Sequence, residues 1–155
     1  MMMSKVFVEK TSNPDKGYSD KNKLFLDMET HRKDVFLVMR TLAEYLESRG
    51  LEHDWTKKEF FDEFAKDTLE RIDVQDFKAR DWYKIHTEYE RHHVNANVPS
   101  DVNFFDLIEM MVDCIVAGKT RSGTVDYTFL VLNDNILEDA YWNTVELINS
   151  IVEVR

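Results

Sequence analysis

Apolar residues recur at helical spacing along most of this chain. From about Leu24 to Arg49 they fall at Val35, Val38, Met39, Leu42, Tyr45 and Leu46, one stripe of a 3.6-residue period. Arg49-Gly50 predicts the end of that helix, a cation in the last turn followed by a residue that tolerates a left-handed backbone. A short connection, Leu51–Lys58, leads to a second helix on which Phe60, Phe61, Phe64 and Leu69 repeat. A third helix is predicted over Val74–His93 on Phe77, Trp82, Ile85 and Tyr89, broken by Asn95, Asn97 and Pro99. Ser100 then predicts an N-cap, with Asp101 in the first turn. Phe104–Ala117 reads as a strongly apolar core helix that Gly118 ends. Lys119–Gly123 is a polar loop and Thr124–Leu132 a segment of no clear type. A last amphipathic helix over Asn135–Val154 turns Ile136, Leu137, Leu147, Ile148 and Ile151 inward. Residues 1–20, with Ser12, Asn13, Pro14, Asp15 and Gly17, read as an arm. Within it Val6-Phe7-Val8 suits a short strand with no evident partner.

Composition narrows the fold. With 155 residues, 43% of them hydrophobic, the expectation is one folded domain over residues 21–155 behind the arm. Four glycines and two prolines leave few tight turns, which favours long helices. The expected class is all-α, a compact bundle of roughly five to seven helices. Thirty acidic against twenty basic residues give a net charge of −10, which argues against non-specific binding of duplex nucleic acid. A small anionic substrate stays open, because a bound cation reverses the field inside one pocket. Cys114, the single cysteine, excludes an intrachain disulfide and reads as a small buried apolar residue. That, with no apolar run near the roughly 18 residues of a membrane span and no signal peptide, predicts a cytoplasmic protein without a membrane partner.

The candidate chemistry lies in the histidines. All five fall between residues 31 and 93: His31, His53, His86, His92 and His93. His31, then His53-Asp54, then Asp113 on the apolar helix read in order as H…HD…D. Imidazole and carboxylate are ligands suited to a divalent cation acting on a phosphate. Adjacent ligands such as His53 and Asp54 converge best outside regular helix, where neighbours do not diverge by about 100°. Asp113 in the middle of an apolar helix is costly unless it has a partner. This order resembles the HD-domain superfamily of metal-dependent phosphohydrolases. The finer pattern is similar to an uncharacterised, often phage-associated HD branch. Its elements here are His53-Asp54-Trp55-Thr56-Lys57, Trp82…His86, His92-His93 and Glu109-Met110…Asp113.

The resemblance implies an HD-like helical fold and one or two divalent ions, drawn from Mn, Mg, Co, Zn or Fe. It implies His31, His53, Asp54 and Asp113 as ligands of the first ion. His86, with His92 or His93, would serve a second ion or the leaving phosphate. On a continuous helix His86, Glu90 and His93 would share one face, leaving His92 well round from them and the more solvated. Glu109, one turn before Asp113, would be a further ligand or would orient a ligating imidazole. Asp54 would orient the attacking water, and Lys57 would offset phosphoryl charge, so Asp54, Lys57 and His86 form the expected catalytic set.

The substrate implied is a nucleotide or related small phosphate ester, in a host cytoplasm if the chain is phage-encoded. Two alternatives belong to other classes: an acidic, non-enzymatic phage-type inhibitor, and a di-iron oxygenase of HD type. Gly118-Lys119-Thr120 is no phosphate-binding P-loop, since Asp113 stands where that loop needs glycine. Lys119 and Arg121 read as solvated loop cations within reach of a substrate phosphate.

Overall fold

The computed structural model describes residues 3–12, 17, 18, 20–69 and 78–155. The fold is mainly α-helical, with one two-stranded sheet. In chain order the described elements are β1 (Val6–Val8), α1 (Lys21–Glu52), α2 (Trp55–Glu59), α3 (Phe61–Leu69), α4 (Asp81–Tyr89), α5 (Phe104–Arg121) and α6 (Asp134–Ile151). A 3-10 turn over Tyr127–Leu130 precedes α6, and β2 (Val152–Val154) follows it. The expected third helix is described only from residue 78 onward, so Val74 and Phe77 lie outside the described residues, as do Asn13, Pro14 and Asp15 of the expected arm.

The chain divides into two compact units: Met1–Ser48 with Val145–Arg155, and Arg49–Thr144. In the first unit the arm is partly structured. Val6, Phe7 and Val8 pair in parallel with Val152, Glu153 and Val154. The expected last helix therefore stops at Ile151, because Val152–Val154 finds a strand partner nearly the whole chain away. Lys5 bonds the Ser150 carbonyl and Glu153, and the Asp34 carboxylate accepts from the Glu9 amide at 3.0 Å. On α1, Val38 and Leu42 are half-buried as the stripe predicts, whereas Val35 and Met39 are exposed.

In the second unit Val94, Val102, Leu107, Met110, Ile136 and Ala140 form the core, with Cys114, Leu130 and Leu132 packed against it. Cys114 is thus half-buried, and Leu137, expected inward, is exposed. α1 runs through Arg49-Gly50 to Glu52, because Arg49 is taken up by the carboxylates of Asp106 and Glu109 and does not cap its own helix. The N-cap of α5 is Asn103, not Ser100. Its side chain accepts from the Phe105 and Asp106 amides while Asp106 accepts from the Asn103 amide, a reciprocal capping box. Asp101 instead binds Arg91 at 2.8 Å. α5 also continues past Gly118 to Arg121. A Cβ at residue 118 would lie 2.6 Å from the Thr124 carbonyl oxygen, so glycine here lets the following loop fold back onto the helix.

Candidate metal centre

The site begins at the break between α1 and α2. Asp54 adopts a left-handed backbone, φ 58° and ψ 28°, the one non-glycine residue with positive φ among those described. Aspartate tolerates this region better than most residues. The twist turns the neighbouring His53 and Asp54 side chains toward common partners. His53 Nε2 lies 3.5 Å from both Asp54 Oδ2 and Asp113 Oδ1. The other Asp54 oxygen, Oδ1, lies 3.5 Å from His86 Nε2 and 3.7 Å from His92 Nε2. His93 Nε2 is 2.7 Å from His86 Nε2.

His92 belongs to three candidate groups of ligand atoms, one of them Glu90, His92 and Glu109. Asp54, His86, His92 and His93 offer one atom each, all within 4.8 Å of one another, as do His53, His92 and Asp113. Ligands at about 2.0–2.1 Å from a tetrahedral ion lie roughly 3.3 Å apart. The 3.5 and 3.7 Å from Asp54 Oδ1 to His86 and His92 are near that, whereas His86 and His93, at 2.7 Å, are at hydrogen-bond distance. A second observation agrees. Asp54 Oδ1 and His92 Nε2 are buried without a hydrogen bond, while His92 Nδ1 lies 3.1 Å from Glu109 Oε1. Orphaned buried acceptors are expensive unless something electropositive meets them. These clusters can hold a metal ion.

His92 was the histidine expected in solvent, yet it is the most enclosed, 1% exposed. The reason is that α4 ends at Tyr89, with Glu90 already extended, so His92 and His93 sit in a turn and both reach the cluster. The shared helical face predicted for His86, Glu90 and His93 does not exist. Asp113 is half-buried, while its neighbours Val112, Ile115 and Val116 are exposed, so it faces the site and not an apolar core. Glu109 accepts from His53 Nδ1 at 3.0 Å and binds Arg49 at 2.6 Å, the orienting position. Lys57 pairs with Asp54 Oδ2. His31 does not join the others. It is exposed on α1, outside every candidate ligand group among the described residues.

The residues that hold the ligands were partly hidden in the sequence. Thr56, fully buried, donates its hydroxyl proton to Glu90 at 2.7 Å, and its amide donates to the same oxygen at 2.9 Å. Having spent that proton, the Thr56 hydroxyl accepts at 2.6 Å from His86 Nδ1. His86 is thereby fixed as the Nδ1–H tautomer, its Nε2 lone pair aimed at Asp54 and His93. Trp82, one turn before, stacks on the same ring at 4.9 Å and 15°, which explains the Trp82…His86 spacing. Thr56→Val is expected to weaken metal affinity by about 10–100-fold, measured by competition with a chromogenic chelator. Thr56→Ser should restore it. Equal loss in the serine variant would show that the hydroxyl is not the orienting group.

Electrostatics separate the two sides. Burial, then the adjacent His93 imidazole, lowers the His86 pKa to about 3, and burial with His92 lowers that of His93 to about 4, so both rings are neutral donors near pH 7. Hydrogen bonds to Asp113 and then Glu109 raise His53 to about 10, despite burial. Burial pushes the Glu109 carboxyl up, but His53, His92 and Arg49 outweigh it and hold it well below the usual range. The hydrogen bond from His53 lowers Asp113. The proton on His53 is the one a divalent ion at Nε2 would have to displace.

No described helix is long and apolar enough to cross a membrane. Searches of curated proteins and of solved structures find no match. Residues 20–147 match a protein family described as "Family of unknown function (DUF5662)". That span contains every residue of the centre described above, and the chain belongs to this family.

Proposed function

We propose that this chain is a divalent-metal-dependent phosphohydrolase of HD type, acting on a nucleotide or related small phosphate ester. The observation that carries the reading is Asp54, whose two oxygens face different ligand sets: Oδ1 toward His86 and His92, Oδ2 toward His53. Asp54, His86, His92 and His93, with His53 and Asp113 beside them, are the residues that would hold one or two ions of Mn, Co, Zn, Fe or Mg. When bound, such an ion makes water acidic enough to attack a phosphate near neutral pH. Asp54 would orient the attacking water. His86, held by Thr56, keeps its Nε2 lone pair in place, while His53, bonded to the Glu109 that Arg49 holds, would give up its Nε2 proton to an ion. Lys57, beside Asp54, supplies positive charge for the phosphoryl oxygens. In this reading His31 is no ligand.

The surface of net charge −10 turns long duplex nucleic acid away and leaves small phosphorylated molecules as partners. The single Cys114 suits a reducing cytoplasm. The test is a panel of nucleoside mono-, di- and triphosphates with cyclic and linear dinucleotides, assayed with manganese, cobalt or magnesium. Phosphate release that stops with chelator is expected, and Lys57→Ala should lower kcat more than it lowers metal content. A metal-loaded protein inert across the panel would overturn the proposal. Visible absorbance from an iron pair would then favour oxygen chemistry, and tight binding of an acidic-face partner would favour an inhibitor.

A further inference from the structure

A cavity of about 620 Å³ opens on Asp113, within the roughly 300–1,000 Å³ typical of small-molecule sites. Along α5 its lining runs from Asp113 through Ala117 and Gly118 to Arg121, spacings that keep to one helical stripe. The two small residues leave the middle of the stripe open. The loop that folds back at Gly118 brings Phe129 to the same cavity, an aromatic face for an organic group. Asp113 and Arg121 stand eight residues apart, roughly 12 Å along the helix.

Arg121 differs from Arg49 and Arg91. Arg49 and Arg91 are each clamped by carboxylates, whereas Arg121 has no carboxylate partner among the described residues. The cavity's second acid, Asp126, is turned to its own neighbour, accepting from the Thr128 hydroxyl at 2.6 Å and amide at 3.0 Å. Arg121, exposed at the rim of this cavity beside Asp113 and Asp126, offers an anion a planar fork that no carboxylate of the described residues occupies.

We propose that the substrate carries a second anionic group, a phosphate or carboxylate some 12 Å from the reacting phosphate, which docks on Arg121. This inference rests on the phosphohydrolase reading of the centre at Asp54 and Asp113. It makes Arg121 a specificity-determining residue, one that selects doubly anionic esters over simple monophosphates.

The probes are hexyl phosphate and hexane-1,6-diyl bisphosphate, titrated calorimetrically into the manganese-loaded full chain. The bisphosphate is expected to bind about 10–100-fold tighter, the range for a charged hydrogen-bonded contact. Arg121→Gln should erase that advantage without changing hexyl phosphate affinity or manganese content. Arg121→Lys should keep part of it, since lysine preserves charge without the planar fork. Metal-dependent binding of both probes with equal affinity, or an advantage that survives Arg121→Gln, overturns this inference and leaves the phosphohydrolase reading standing. Manganese-loaded protein that binds neither probe overturns both.

Discussion

Asp54→Asn is expected to lose divalent metal, with affinity falling by more than about 100-fold, beyond what losing a ligand's hydrogen-bond partner usually costs. The substitution is nearly isosteric, and asparagine tolerates the left-handed backbone at residue 54 as well as aspartate does. The turn that aims His53 therefore survives, and only the charge and one oxygen are lost. What remains cannot bridge: one amide oxygen faces either His86 and His92 or His53, while the amide nitrogen faces the other set as a donor. Equilibrium dialysis against manganese or zinc, with a urea titration beside it, separates metal loss from unfolding. A variant that keeps wild-type metal affinity would remove Asp54 from the centre, and the two-sided arrangement with it.

Asp106→Ala is expected to be the most destabilising single change, by about 3–5 kcal/mol, the usual cost of breaking a buried ion pair by removing one partner. Asp106 is fully buried and accepts from Arg49 at 2.7 Å, from Arg91 at 2.9 and 2.8 Å, and from the Asn103 amide at 3.0 Å. Removing it leaves two guanidiniums short of a partner and breaks the capping box of α5. The damage should reach the site, because Arg49 also holds Glu109, which orients His53. Urea unfolding read by far-UV circular dichroism measures the loss. A change below about 1 kcal/mol would mean that these contacts count no more than surface pairs.

Several features of the centre were legible in the residue order, for a physical reason: they are local. His53-Asp54 falls between helices where periodicity lapses, and Trp82…His86 is one helical turn, so ring can stack on ring. Glu109 and Asp113 also stand one turn apart on α5. What stayed hidden depends on distant partners. Nothing near Glu90 shows that α4 stops there; its carboxylate is taken by Thr56, 34 positions earlier. For that reason His92 reads as a solvated residue on a continuing helix. Arg49 reads locally as a last-turn cation, but its carboxylates come from Asp106 and Glu109 on α5. Val152–Val154 continues the apolar pattern of α6 and becomes a strand only because β1 is there to pair with it. His31 is different. It has the residue type and order of a ligand, yet it is exposed on α1 and outside every candidate ligand group among the described residues. Asn103 with Asp106 was likewise a better local cap signal than Ser100.

Metal content per chain, determined by inductively coupled plasma mass spectrometry on protein purified without a histidine tag, decides whether Asp54, His86, His92 and His93 form a metal centre. One to two equivalents of a transition metal are expected, retained through gel filtration and lost from Asp54→Asn. Protein free of metal after saturation with manganese, iron and zinc, its histidines still buried and folded, would contradict the account.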